Sequence, residues 1–404
     1  MAGRRSLERG VVMASSKDGK GASAAAAKRA EIVAKQRRDN KRNMVFAGLG
    51  AVLIAAVVVA VGLFIAKAGV GGAYQNYGSG DYKAPSAADE SGGIFVGKDG
   101  IAGGSEANED AVRIDLYEDP ICPACGAFNF YTGEELTALR ESGDIALYYH
   151  PISYFDNTSR NTKYSTRAVN ALATVAEYDP ANFEAFWHAL FLGQPEEGTK
   201  GLTNEEIAAI ATEAGVSAEA IAKIADGEFT EWVASVTELA SKAGVGSTPS
   251  ILLNGSMFPA GQWAQAGTFT WSVDYIQREG DAAFNAILPN LEPYGLAALK
   301  YIDEKGEDAF AEIQHYGDDY GREAIAFIYV YGVDALAPLL PYADQYGNSA
   351  ISYAGAYGLD ELKKILPYAD QYGNDAIGYI LQNGLEAFLQ EVGAEPLPSP
   401  TATA

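Results

Sequence analysis

The chain has 404 residues, with 29 Lys and Arg against 53 Asp and Glu, a formal net charge of −24, and only two cysteines. That length accommodates two or three domains, and apart from its charge the composition is that of an ordinary soluble globular protein. The soft metal ligands besides the cysteines are only His150, His188 and His315, none at paired spacing, which leaves a zinc site short of the about four ligands it needs.

The charge is unevenly spread. Residues 1–43 hold 12 of the Lys and Arg residues but only Glu8, Asp18, Glu31 and Asp39 as acids, a net of +8, whereas the remainder carries −32. Between the two lies Met44 to Ala66, 23 consecutive uncharged and mostly apolar residues. As a helix rising ~1.5 Å per residue, such a run crosses a bilayer. A cleaved signal peptide is the competing reading, but its apolar core would be shorter and its basic region would rarely extend so far. The flanking Lys35, Arg37, Arg38, Lys41 and Arg42 predict a cytoplasmic N-terminus, with everything after Lys67 outside the membrane. Topology accounts for these charges more simply than nucleic-acid binding does. Residues 67–107, rich in Gly, Ser and Ala, are expected to form a flexible tether, with Gly93 to Gly97 as a short strand near its end.

Val112 to Tyr117 alternates in the manner of a strand, and directly after it comes Cys122-Pro123-Ala124-Cys125. Behind the cysteines, Glu134, Glu135, Leu136 and Leu139 fall at helical spacing. A strand, a short turn and a helix opening on the first cysteine form a thioredoxin-like arrangement. At a helix N-terminus the unpaired N–H groups and the macrodipole favour an anion, so Cys122 is expected to ionise more readily than a free thiol and to act as the nucleophile. Cys125, one turn further in, is placed to close onto it. Pro123 suits the first helical turn, where its missing N–H costs nothing. A structural disulfide is the bland alternative, but one closing so short a loop adds little stability.

Ile145 to Tyr149 predicts a second strand, followed by helices over Arg167–Glu177, Phe183–Leu192, Asn204–Ala214, Ala218–Ala225 and Phe229–Ala243. Thr203 and Glu206 stand at capping-box spacing. Then come Thr248-Pro249 and, between two apolar runs, Asn254-Gly255, a strong hairpin signal. Alone, Pro249 reads as an edge or turn device.

Taken together, Glu118 to Cys125, Tyr149-His150-Pro151, Tyr164 to Ala168, Gln194 to Gly198 and Gly246 to Pro249 resemble the DsbA-like thiol:disulfide oxidoreductases, in particular the membrane-anchored actinobacterial type. The resemblance covers about residues 108–275. It implies a thioredoxin fold with a helical subdomain inserted at about 160–245, Cys122 as nucleophile and Cys125 as resolving thiol. It also implies a cis proline at Pro249 that lines the substrate groove with Thr248, and reoxidation by a membrane partner of the DsbB or vitamin K epoxide reductase type. Two departures bear on the direction of the redox drive. Ala124 stands where strongly oxidising members carry His, and Leu116 stands where many thioredoxin-fold enzymes bury an acid. Asp115, Glu118 and Asp119 are nearby alternatives for proton transfer, although close carboxylates also raise a thiol pKa. His150 is assigned to a strand end and His188 to a helix, neither of them needed for the chemistry.

Beyond residue 275 the sequence repeats every 26 residues. Tyr294-Gly295, Tyr320-Gly321, Tyr346-Gly347 and Tyr372-Gly373 recur in register, as do Gly306, Gly332, Gly358 and Gly384. Ala298, Ala324, Ala350 and Ala376 keep the same period, and Phe284, Phe310, Leu336, Leu362 and Phe388 mark a second half-unit. Short helices punctuated by Gly, marginal alone, imply a stacked array over residues 276–392. Its tyrosines read as packing positions in preference to a binding surface, and residues 393–404 as a disordered tail.

The expected architecture is therefore an α/β thioredoxin-like fold with a helical insertion, followed by an all-α repeat array, behind one N-terminal transmembrane helix. The expected function is disulfide formation in exported thiol-containing proteins through Cys122 and Cys125, with Pro123 and Ala124 supporting them. No metal, organic cofactor or nucleic acid is implied, and the repeats would take a protein ligand. A reductase or isomerase fed with electrons from the membrane is the first alternative. A repeat-based scaffold with a non-essential dithiol is the second.

Overall fold

The computed structural model describes residues 82–394. The basic segment, the apolar run at 44–66 and the end of the C-terminal tail lie outside the described residues. Among those described, no helix is long and apolar enough to cross a membrane.

A five-stranded sheet is ordered β1-β3-β2-β4-β5. Its strands are β1 (Ile94–Val96), β2 (Val112–Glu118), β3 (Ile145–Pro151), β4 (Ser250–Leu253) and β5 (Ser256–Met257). Strands β2 and β3 run parallel, joined by helix α1 (Pro123–Ser142), and β4 lies antiparallel to β2 with Leu116 opposite Ile251. The β4–β5 turn is the expected one, because Asn254 and Gly255 both take positive φ, 46° and 81°, as a two-residue hairpin loop requires.

Between β3 and β4 the chain forms α2 (Tyr164–Tyr178), α3 (Phe183–Leu192), α4 (Asn204–Glu213), α5 (Ala218–Ile224) and α6 (Thr230–Lys242). Each lies within about three residues of its expected bounds. The Thr203–Glu206 capping box is formed in both directions. Helix α2 is buried along most of its length, with Ala168, Val169, Leu172 and Val175 all inaccessible; it is the spine on which the other helices of the insertion pack.

Residues 82–107, expected as the distal part of the tether, are instead built into the domain. Strand β1 pairs antiparallel with β3, Ile94 opposite Tyr149 and Val96 opposite Leu147. Both Ile94 and Val96 are buried. The surrounding glycines do not serve flexibility here. A Cβ on Gly93 would stand 2.6 Å from His150 Nε2, so glycine permits the close approach of this segment to the sheet. Side chains complete the attachment: Arg113 pairs with Asp89 at 2.8 Å, and Glu177 accepts from the backbone and hydroxyl of Ser86.

After the sheet come α7 (Thr268–Glu279), α8 (Asp281–Ile287), α9 (Leu291–Tyr294), α10 (Leu296–Lys305), α11 (Glu307–Tyr331) and α12 (Val333–Leu336). They are followed by α13 (Leu340–Tyr346), α14 (Ser349–Tyr357), α15 (Leu359–Tyr372), α16 (Asp375–Asn383) and α17 (Leu385–Val392). Residues 26 apart play equivalent parts: Ala298, Ala324, Ala350 and Ala376 are all buried, as are Leu336, Leu362 and their counterparts. Gly332, Gly358 and Gly384 sit at φ 84–90° with ψ near 160°, a backbone region essentially confined to glycine. In α11, Gly321 (φ 72°, ψ −174°) breaks the helix into two.

Three tyrosines bond forward by 24 residues, each hydroxyl donating to an aspartate: Tyr294 to Asp318, Tyr320 to Asp344 and Tyr346 to Asp370, at 2.5, 2.8 and 2.9 Å. Each unit is thus tied to the next by polar contacts as well as by apolar stacking. The core is continuous from the sheet into the first of these helices through Tyr275, Phe284 and Ile287.

Candidate active site

Strand β2 ends at Glu118, and four residues later Cys122 caps helix α1, with φ −71° and ψ 115°, Pro123 being the first helical residue. The N–H groups of Cys125 and Gly126 both donate to the Cys122 carbonyl, at 3.0 and 3.2 Å. The cysteine sulfurs are in the free thiol form. Cys122 is 5% exposed and Cys125 is fully buried, so Cys122 is the nearer of the two to the surface.

The loop that carries Thr248 and Pro249 comes from the far side of the chain, 126 residues on, and the Cys122 thiol donates to the Thr248 carbonyl at 3.3 Å. The Thr248–Pro249 peptide bond is cis. The two groups of Thr248 act in opposite senses on the sulfur. Its carbonyl can only accept and so favours the protonated thiol, whereas its hydroxyl, buried without another partner, favours the ionised sulfur. The balance at Cys122 is set first by the Cys125 thiol, which donates to it; that bond and the Thr248 hydroxyl outweigh burial and hold the Cys122 pKa below the ordinary thiol value. For Cys125 burial dominates, reinforced by the Cys122 sulfur and by Glu118, and its pKa is pushed well up. The pair is therefore polarised into one thiol that ionises and one that keeps its proton.

Replacing Cys125 by alanine removes the largest influence on Cys122. The Cys122 pKa is expected to rise, because the ionised sulfur loses the hydrogen bond that the Cys125 thiol donates to it. The pH dependence of alkylation by iodoacetamide would show the shift, and an unmoved midpoint would assign the depression to another cause.

Of the three acids expected near the dithiol, the structure separates one from the other two. Asp115 turns to Arg113 and His150, at 2.6 and 2.8 Å, and belongs to the attachment of β1. Glu118 and Asp119 are wholly buried beside the cysteines. Burial pushes the Glu118 carboxyl well up, aided by the Cys122 sulfur and opposed by the hydrogen bond from Asn129. Its second oxygen has no partner. Burial likewise raises Asp119, to about 7, although it accepts from Ile121 N, Ser165 Oγ and Phe155 N. Asp119 thereby fastens the cysteine loop to the start of α2.

Three residues that sequence reasoning did not single out for the site complete it. Asn129, on α1, donates to Glu118 at 2.7 Å and to the Cys125 carbonyl at 3.0 Å, and accepts from the Trp187 indole at 2.9 Å. Gln194 donates to the Pro120 and Cys122 carbonyls, at 3.0 and 2.8 Å. Trp187 and Gln194 both come from the helical insertion, 58 and 72 positions from their partners; Gln194 opens one of the segments that carry the resemblance, but no local pattern assigns either residue to the dithiol. Pro123 and Ala124 supply the first turn of α1; Ala124 is buried and offers the sulfurs no polar group.

Residues 98–269 match the family model described as Thioredoxin. Among curated proteins, the serine/threonine-protein kinase PknE of Mycobacterium tuberculosis is 30% identical over 201 residues, which are 48% of this chain and 31% of that protein. The chain thus spans about a third of the length of the curated relative it matches. Among solved structures, the reduced disulfide oxidoreductase DsbG of M. tuberculosis is 26% identical, covering 50% of this chain and 96% of that one, with a TM-score of 0.41. Oxidised DsbA of the same organism is 25% identical, covering 48% and 99%, with a TM-score of 0.38. A family match that spans the dithiol, the helical insertion and the proline loop, together with a polarised cysteine pair at a helix start, identifies residues 98–269 as a thioredoxin-like domain with the chemistry of a thiol:disulfide oxidoreductase.

Proposed function

We propose that the protein forms disulfides in exported polypeptides, working from the outer face of a membrane to which the apolar run at 44–66 anchors it. The observation that carries this reading is the polarisation of the pair. A first cysteine whose ionised form is stabilised makes the reduced enzyme the favoured state, and hence the disulfide a stronger oxidant.

In the proposed cycle the Cys122–Cys125 disulfide is attacked at Cys122, the sulfur nearer the surface, by a client thiolate. The Cys122–Cys125 bond breaks as the client–Cys122 bond forms, and Cys125 leaves with the electron pair. Burial makes a Cys125 thiolate costly, so it takes up a proton; Glu118, whose pKa burial raises and whose second oxygen has no other partner, is the acid we assign to supply it. A second client thiolate then attacks the client sulfur of the mixed disulfide and releases Cys122 as the thiolate. The client leaves oxidised by two electrons, and the enzyme holds two thiols. A membrane partner of the DsbB or vitamin K epoxide reductase type would return the electrons to the respiratory chain. Thr248 and Pro249 lie against Cys122, where the client backbone must pass. The C-terminal helices would engage a protein ligand of their own.

Equilibration of the full chain with glutathione tests the direction. A reduction potential near about −120 mV is expected of an oxidant. A value near about −270 mV, the range of thioredoxin, would overturn the reading in favour of a reductase supplied from the membrane.

A further inference from the structure

Helix α1 has two flanks beside the dithiol, and they are finished differently. On the side of α7 the apolar surface is closed, since Phe128 packs edge-on against Trp263 and Phe269. On the side of α3 it is open. There a cleft of about 490 Å³ lies between the α1 face bearing Gly126, Phe130, Gly133 and Thr137 and the end of α3, with Phe191 and Leu192. Phe130 is 66% exposed and Leu192 81%. Two large, mostly exposed apolar side chains at one cleft, Phe130 touching only the edge of Tyr131 among aromatic rings, mark a surface that gains by being covered.

One end of the cleft lies beside the dithiol loop. Gly126 is one turn beyond Cys122, and Gln194, two residues past Leu192, bonds the Cys122 carbonyl. A Cβ on Gly126 would collide with Gln194 Oε1, so glycine lets that end of the cleft close up against the active-site loop. From Gly126 to Glu141 the lining runs along α1 for about 22 Å. Its charged members are Glu134 and Glu141, with no Lys or Arg. His188, at the cleft, is held below its ordinary pKa by burial and adds no cation at neutral pH.

We propose that this cleft is a second docking site for the client polypeptide, taking a large apolar side chain a few residues from the reacting cysteine, in a segment of neutral or basic character. The inference rests on the reading that Cys122 reacts with polypeptide thiols. An extended chain advances about 3.3 Å per residue, so a residue two to six positions from the client cysteine reaches the cleft. The acidic rim sets the charge preference, and the position of the cleft one helical turn from Cys122 sets the occupant.

The test compares the full chain with Phe130→Ser, Leu192→Ser and Gly133→Leu. The first two trim exposed side chains. In the third, the new Cβ meets only His188, at 3.5 Å, and the rest of the leucine fills the cleft. The probes are dithiothreitol, a dithiol peptide with Phe four residues after one cysteine and lysine neighbours, and the same peptide with Gly for Phe. The wild type should oxidise the Phe peptide about tenfold faster than the Gly peptide at low concentration, as expected for burying one ring. The variants should lose that preference while their rates with dithiothreitol stay unchanged. Equal rates for the two peptides on the wild type, or a preference that survives in all three variants, would overturn the proposal. A wild-type dimer in sedimentation that the variants abolish would assign the cleft to a second copy instead. Failure to oxidise dithiothreitol at all would count against the oxidase reading, a different result from loss of peptide preference.

Discussion

Cys122→Ser is expected to reduce thiol–disulfide exchange to the uncatalysed level, while Cys125→Ser still attacks a disulfide probe but cannot complete the exchange. The difference follows from exposure and charge. Cys122 is the less buried of the pair and has the depressed pKa, and the thiolate is the attacking species; a serine hydroxyl does not ionise at neutral pH. Cys125 is fully buried and keeps its proton. Without it, Cys122 can still attack a disulfide probe, but no neighbouring sulfur can resolve the product. Intact mass measurement after mixing with a disulfide-bonded peptide should therefore show a persistent mixed adduct on Cys125→Ser and none on Cys122→Ser. Turnover by Cys122→Ser, or its capture as an adduct, would mean that Cys125 is the attacking group and would reverse the assignment. Circular dichroism should accompany both, since a buried hydroxyl without a partner costs ~1–3 kcal/mol.

Arg140→Ala should cost about 3–5 kcal/mol of stability, the range for breaking a buried ion pair from one side. The Arg140 side chain is 3% exposed. Its guanidinium holds Glu184 through two contacts of 3.0 Å and donates to the Gly97 and Lys98 carbonyls at 2.9 Å each. These contacts join three regions: helix α1 behind the dithiol, which carries Arg140, helix α3 of the insertion, and the segment after β1. Alanine leaves Glu184, which also accepts from the Tyr149 hydroxyl at 3.2 Å, without its counter-charge, and takes the side-chain donor from the Lys98 carbonyl, while the Gly97 carbonyl keeps the Gly100 N–H. Urea unfolding should show the loss. The double variant Arg140→Met with Glu184→Leu should recover much of it, because removing both charges avoids the stranded carboxylate. A cost below about 1 kcal/mol for Arg140→Ala would place the pair among screened surface contacts and contradict the burial described above.

Much of this molecule was legible before its structure. The helices of the insertion follow from apolar spacing and from one capping box, since an amphipathic helix carries its pattern in adjacent turns. The Asn254–Gly255 hairpin was equally plain, because few residues other than Asn and Gly tolerate its two positive φ values. Helical units 26 residues long could be counted for the same reason, each register position meeting the same neighbour in the next unit. The tether was misread over residues 82–107, since glycine signals flexibility in a sequence and close approach in a fold, and only the imidazole of His150 standing over Gly93 tells the two apart.

By itself, the sequence determined the chemistry: two cysteines, spaced one helical turn apart at the end of a strand, need only local geometry to become a reactive pair. The setting of that pair was decided by tertiary structure. Thr248 reaches Cys122 across 126 positions, Asn129 joins Glu118 to an indole 58 positions away, and Asp115 is drawn off by Arg113 while Glu118 stays with the sulfurs. The open cleft between α1 and α3 arises in the same way, from one flank of a helix being covered and the other not. Protonation and docking depend on burial and on which distant groups converge. These are properties of packing between segments, which no run of neighbouring residues encodes.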